Sequence, residues 1–230
     1  MVDNMQQCLV VLDNNAAAWQ TAYTAYDVAA RSGSSLIGAV VEGQPDSLSV
    51  HQKFEAGARA AGIRATSHEI SSLSAKNLHA LSPQADAVFI SRASLGSPTI
   101  LDDLIRGLTC PLWIVPEQRS IRRVMIATTT GVTTAPELEL GLSLMRRWGI
   151  LLEILVTSDS VERLNRNQVF DDDVSQRVVP ELTLSTFLKR SDEDEIDLAV
   201  LSWPNEVISV WEVCVRTHCL LAVCPVLNSH

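Results

Sequence analysis

The sequence predicts an α/β protein built as two tandem open parallel-sheet domains, residues 1–118 and 119–230. Three observations carry that prediction. Short apolar runs alternate with helical patterns along the chain, as in a parallel sheet with helical crossovers. The stretch from Ala85 to Pro116 reads as one complete strand, loop, helix and strand. The same order of elements then begins again in the second half, a repeat on the scale of a domain.

Taken in order, Cys8 to Leu12 is an apolar strand that ends at Asp13, and Asn14 and Asn15 favour a turn or a helix cap. Ala16 to Arg31 is helical. Its Ala18, Ala22, Ala25 and Ala29 form a face of small residues that lets a helix lie close to a sheet, and Gly33 ends it. Ser35 to Val41 is a second buried strand, followed by a loop from Glu42 to Asp46. Val50 to Ala61 is a second helix, Ile63 to Ile70 a strand with partial alternation, and Ser74 to Leu81 a short helix. Ala87 to Ile90 is the next strand, and a small-residue loop, Ser94 to Thr99, follows it. A helix starts near Thr99, whose hydroxyl can cap it, and Ile100, Leu101, Leu104, Ile105 and Leu108 fall on one of its faces. Leu112 to Val115 closes the unit as a parallel neighbour.

After a linker from Pro116 to Arg122 the pattern restarts. Arg123 to Ala127 is a strand with a threonine-rich loop behind it, and Pro136 to Trp148 is a helix with Leu138, Leu142 and Met145 on one face. Gly149 stands where Gly33 stood, and Leu151 to Val156 is a strand. Ile196 to Ser202 echoes Ala85 to Ser91, and His218 to Pro225 matches Thr109 to Pro116. The middle of this half reads as shortened: a short helix over Val161 to Phe170, a solvated loop at Asp171 to Asp173 and an acidic turn at Ser191 to Glu195. Trp203 and Trp211 are candidates for a contact surface, with core packing the stronger reading for Trp211.

At 230 residues with 47% hydrophobic side chains, the chain can bury a full core. Its 27 acidic against 18 basic residues, a net charge of −9, speak against nucleic acid and anionic membranes as partners. The apolar runs fall well short of the ~20 residues that span a bilayer. The start MVDNMQQ does not resemble a signal peptide. A cytoplasmic protein without membrane insertion is expected. Five cysteines, an odd number, argue against a disulfide framework. Cys214, His218, Cys219 and Cys224 raise the idea of zinc. With no close CxxC pair, burial as small apolar residues is the stronger reading, and no metal is expected.

The strand ending in aspartate at Cys8 to Asp13, the alanine-rich helix ending at a glycine, the strand Leu36 to Val41, the ADAVFIS strand at Ala85 to Ser91 and the ending TCPLWIVP at Thr109 to Pro116 occur in a telling order. By these features each half resembles a universal stress protein domain, the UspA-like branch of the adenine-nucleotide α-hydrolase-like fold. The resemblance implies two such domains packed as a pseudo-dimer through their last strands, in a monomer or a homodimer. ATP-binding members carry a loop of the form G-x2-G-x9-G-(S/T) after the fourth strand, where glycines let backbone N–H groups approach phosphates. Here Pro98 and Thr99 fall on the final glycine and hydroxyl positions, and Gly96 is the one glycine between Ser91 and Thr99. In the second half Ser202-Trp203-Pro204-Asn205 has no glycine, and Ala127-Thr128 replaces the strand-end aspartate.

Carried over residue by residue, the resemblance implies that Asp13 contacts adenosine, Val41 lies beside the base and Thr99 is the phosphate-side hydroxyl, with Ser94 and Gly96 in the loop. Read without it, Asp13 is a turn or capping residue, Val41 core and Thr99 a helix cap. The five histidines, His51, His68, His79, His218 and His230, sit in no nucleophile or metal motif, and no G-x-S-x-G occurs. The expectation is a non-catalytic stress-type regulatory protein acting through contacts with an unidentified protein, its nucleotide motif largely lost and no cofactor required. The alternative is an adenine-nucleotide sensor that holds ATP or AMP in the first domain only.

Overall fold

The computed structural model describes all residues except 1–4, 14, 44–45, 117–119, 129–134, 168–172, 204–207 and 226–230, and only the backbone of 163–167. Two compact units make up the chain, residues 4–120 in one and residues 121–230 in the other.

The first unit runs β1 (Gln7–Leu12), α1 (Ala16–Ser32), β2 (Ser35–Val41), α2 (Ser47–Ala60), β3 (Ala65–Ile70), α3 (Ala75–Leu81), β4 (Ala87–Ser91), α4 (Arg92–Leu95), α5 (Pro98–Gly107) and β5 (Leu112–Val115). Its strands lie side by side in the order β3-β2-β1-β4-β5, each pair parallel. β1 is central, matched Gln7↔Ser35 to Leu12↔Val40 on one side and Cys8↔Ala87 to Val10↔Phe89 on the other. Helices on both faces explain why β4 and β5 are buried throughout and apolar apart from Ser91. The small face of α1 is in the core, with Ala18, Ala22, Ala25 and Ala29 all at most 1% exposed. Asn15 caps α1 by accepting the Ala18 N–H at 2.8 Å, and Gly33 ends it at φ 73°, in the left-handed region. Asn14 lies outside the described residues. α2 starts three residues earlier than its apolar pattern, because Ser47 to Ser49 continue the helix on its solvent side.

The second unit repeats the plan with β6 (Arg123–Ala127), α6 (Pro136–Trp148), β7 (Leu151–Thr157), α7 (Ser158–Asn167), β8 (Val174–Val179), α8 (Leu184–Glu193), β9 (Leu198–Trp203), α9 (Val210–Arg216) and β10 (Leu220–Pro225). Its parallel strands follow the order β10-β9-β6-β7-β8. The middle of this half is therefore not shortened. β8 and α8 stand where a loss of regular structure was expected, and Ser191 belongs to the last turn of α8 rather than to an acidic loop. Exposure hides both elements in the sequence. β8 is paired on the side of β7, and its burial alternates as in β3, its counterpart. α8 buries few of its side chains, Phe187 and Ser191 among them. Asp171 and Asp172 of the expected acidic loop, and the threonine-rich loop beyond Thr128, lie outside the described residues.

Candidate functional site

In an open parallel sheet a ligand site forms beyond the carboxyl ends of the strands, where successive crossovers part to opposite sides. In the first unit that place lies between β1 and β4. Continuing their register two residues past Val10↔Phe89 sets Leu12 beside Ser91, so Asp13 meets the start of α4. There Ser94 Oγ donates to Asp13 Oδ2 at 2.5 Å and lies 2.5 Å from Ser91 Oγ, which also accepts the Ser94 N–H at 3.0 Å. A carboxylate only accepts, so the Ser94 proton is committed to Asp13 and the Ser91 proton to Ser94. The result is a directed chain of bonds, each polarising the next. Asp13 Oδ1 is buried and has no hydrogen-bond partner. Val41, last in β2 and half-buried, stands beside this strand end, one residue beyond the pair Leu12↔Val40.

The segment after β4 is not an open loop. Arg92 to Leu95 make one helical turn capped by Ser91, with Leu95 fully buried, and Gly96 closes it at φ 61°. Thr99 is not the cap of α5; it is an exposed residue in the first turn of that helix. Ser97 is the cap, its Oγ accepting the Ile100 N–H at 3.5 Å. Proline suits the first helical position, where its φ is already right and its missing N–H costs nothing, so the hydroxyl immediately before Pro98 takes the capping place. Donors for an anion are correspondingly few. Pro98 has no N–H, that of Ile100 goes to Ser97 Oγ, and that of Leu101 goes to the Ser97 carbonyl at 3.4 Å.

The structure thus joins Asp13 to Ser94, sets Val41 beside them, uses Gly96 to turn the chain and leaves Thr99 at the surface. Ser91 and Ser97 complete the arrangement as caps, roles that the sequence reading, which has Ser91 as a strand end and Ser97 as a loop hydroxyl, does not assign them. Their signal was present: Ser91, Ser94 and Ser97 recur every third residue, the spacing at which a capping oxygen meets the N–H it accepts.

In the second unit buried Thr128 occupies the strand-end place. A carboxyl group is present there nonetheless, supplied by Glu137 from the first turn of α6 and only 1% exposed. Thr128 hydrogen-bonds to it, and burial pushes its carboxyl above the ordinary value of 4.5 against that bond and one from its own backbone. Glu137 Oε2 has no hydrogen-bond partner. Relative to the first unit, the strand end carries the hydroxyl, and the carboxyl comes from α6, the counterpart of α1. Ser202 and Trp203 at the end of β9 are half-buried, while Pro204 and Asn205 lie outside the described residues.

A second polar cluster joins α2 to the edge strand β3. His51 Nδ1 lies 2.8 Å from Ser67 Oγ, Ser67 Oγ donates to Glu55 Oε1 at 2.7 Å, and His51 Nε2 is 3.9 Å from Glu69 Oε1. The one hydroxyl proton of Ser67 is spent on Glu55, so His51 must be the donor in its bond to Ser67. A histidine that donates to a serine does not act as its base, and the arrangement lacks an activated nucleophile. Cys214, Cys219 and Cys224 are buried while His218 is exposed. Among the described residues no group of three or more His, Cys, Asp or Glu is placed to hold a metal ion, and no helix is long and apolar enough to cross a membrane.

No family model matches the chain, and no curated protein matches it in sequence. Solved structures do match in fold. A universal stress protein from Archaeoglobus fulgidus is 13% identical with a TM-score of 0.67, over 96% of this chain and 99% of that one. A protein of unknown function from Pseudomonas aeruginosa is 13% identical with a TM-score of 0.71, over 97% and 94%. The cytoplasmic domain of a prokaryotic cation chloride cotransporter is 11% identical with a TM-score of 0.64, over 96% and 95%. At such identities the likeness is one of fold, and the fold is that of the universal stress proteins.

Proposed function

We propose that this chain, which has the universal stress protein fold, is a non-catalytic regulatory protein of the cytoplasm that acts through protein contacts and no longer depends on a bound nucleotide. One observation carries the reading: the segment after β4 satisfies itself. Ser91 caps α4, Ser97 caps α5, Ser94 occupies one oxygen of Asp13, and Leu95 is fully buried. A phosphate cradle needs converging, unspent N–H groups, and here the first turn of α5 has lost most of them.

A second reading is favoured by one atom. Asp13 Oδ1 is buried without a partner, a position that a donor on a ligand would satisfy. On this reading the first unit holds ATP or AMP beside Asp13 and Val41. The deciding experiment titrates the full chain with ATP, ADP and AMP, with and without magnesium, by thermal shift and calorimetry, alongside Asp13→Ala. A ligand that binds only the native state must stabilise it, by about 2.7 kcal/mol at a hundred times its Kd. No shift at millimolar nucleotide is expected. Saturable stabilisation that disappears in Asp13→Ala would establish the sensor instead.

A further inference from the structure

At the opposite end of the first unit's sheet, Gln6, Gln7, Ser35, Arg64, Gln84 and Asp86 line a polar cavity of about 450 Å³, a size typical of small-molecule sites. Two opposite charges border it. Asp86 Oδ2 accepts the N–H groups of Gln6 at 2.8 Å and Gln7 at 3.0 Å, which holds the carboxylate in place. Arg64 precedes β3, and its carbonyl accepts the Leu36 N–H at 2.9 Å, so its backbone is fixed as well. Its side chain is exposed and has no bonded partner among the described residues, Asp86 included. A cation and an anion thus share one cavity without neutralising each other. The Gln7 amide, also in the lining, is oriented: its Oε1 accepts the Ser82 hydroxyl at 2.5 Å, which leaves its NH₂ end free to donate.

The second unit shows that the fold does not demand this arrangement. The residue before β8 is Asp173, whose carbonyl accepts the Leu152 N–H at 3.1 Å as that of Arg64 accepts Leu36. Around it Arg123, Leu151, Glu153, Asp173 and Ser175 line a depression of about 250 Å³. By register Arg123 stands at the place of Gln7, and Glu153 at the place of Ile37. A guanidinium before the edge strand is therefore particular to the first unit; the second unit carries one instead at the entry of its central strand, on Arg123.

We propose that the cavity of the first unit binds a small zwitterionic amino acid, its carboxylate on Arg64 and the Gln7 amide and its ammonium group on Asp86. A simple anion would meet the Asp86 charge and the field of a chain with net charge −9, and a simple cation would meet Arg64. A ligand carrying both charges satisfies both, and the planar guanidinium matches a carboxylate through two parallel bonds.

The test titrates the full chain by calorimetry with glycine, alanine and glutamine, and with propionate and ethylamine as probes carrying one charge each, while amide chemical shifts map the contact. Saturable binding of the zwitterions is expected, with shifts at Gln6, Gln7 and Gln84 and not at Ser94, and with single-charge probes at least about tenfold weaker. Arg64→Gln is expected to weaken binding by about ten- to a hundredfold at an unchanged melting temperature, since the Arg64 side chain has no partner to lose. The proposal is overturned if no zwitterion binds, if propionate binds as tightly as alanine, if Arg64→Gln leaves the affinity unchanged, or if the shifts fall elsewhere. The nucleotide titration reads the other end of the strands, so each result stands without the other.

Discussion

Asp86 and Asp197 make the same pair of bonds in the two halves. Asp86 Oδ2 accepts the N–H groups of Gln6 and Gln7 at 2.8 and 3.0 Å, and Asp197 Oδ2 those of Arg122 and Arg123 at 2.9 and 3.0 Å. Each backbone answers in kind, with the Asp86 N–H on the Gln7 carbonyl at 2.8 Å and the Asp197 N–H on that of Arg123 at 3.0 Å. The aspartate thus ties the entry of the central strand to the entry of its neighbour, β4 in one half and β9 in the other. Asp86→Ala and Asp197→Ala are each expected to lower stability by about 2 kcal/mol, less than two full hydrogen bonds to a charged group because both carboxylates are partly solvated. Urea denaturation measures this, and Asn at either position should recover part of the loss.

The bond between Ser94 and Asp13 is the tie across the candidate site. Removing the hydroxyl in Ser94→Ala leaves a second Asp13 oxygen without a protein partner and should cost about 1–3 kcal/mol. Combined with Asp13→Ala in a double-mutant cycle, the two changes should show a coupling of at least about 0.5 kcal/mol. Additive effects would mean that the contact contributes nothing.

Two buried glutamates in the second unit make its stability depend on pH. Burial raises the carboxyl of Glu137, and burial followed by the Asp194 charge raises that of Glu153 against the pull of Arg177, Arg190 and Arg123. An acid with a raised pKa in the folded state binds its proton more tightly there than in the unfolded chain. Stability is then full below the ordinary value of 4.5 and falls as the pH rises through the raised values. Glu137→Gln should flatten that decline and raise the melting temperature at neutral pH. Melting curves collected between pH 4 and 8 test it, and an unchanged slope would contradict the assignment.

Gly107 marks the contact between α5 and α3. A Cβ there would lie 2.3 Å from the Ala75 Cβ, and Asp103 Oδ2 on the same helix accepts the Ala75 N–H at 3.0 Å. Gly107→Ala is expected to push the helices apart and destabilise by about 1–3 kcal/mol, the usual range for overpacking, despite alanine's better helix propensity. Ala75→Gly in the same chain should relieve most of that loss.

How much of this was legible in the sequence follows from burial. β1, β4, β5, β6 and β10 are apolar runs closed by turn residues or prolines, and the sequence places each within about two residues, the ordinary blur of element ends. β8 and α8 were not legible, because an edge strand with half its side chains in water and a helix with few buried residues lack the periodicity that marks them. At the candidate site Asp13 and Ser94 could be named from sequence, but the capping roles of Ser91 and Ser97 depend on a one-turn helix too short to leave a pattern. Glu137 was hidden for another reason. On a helix its neighbours are polar and apolar alike, and only the placement of α6 reveals that the carboxyl returns to the strand end where Thr128 stands.

The burial of all five cysteines also gives the chain a practical property. Cys8 and Cys110 have their thiols pushed up to about 12, and Cys224 is raised as well, so at neutral pH these groups are neither accessible nor ionised. An added surface cysteine would then be the one thiol that reacts with a maleimide dye. Ala93 is exposed in the helical turn that carries Ser94, so Ala93→Cys would attach a fluorophore next to the residue bonded to Asp13 without removal of any native sulfur. Light emission from that label would then report any ligand that reaches Asp13.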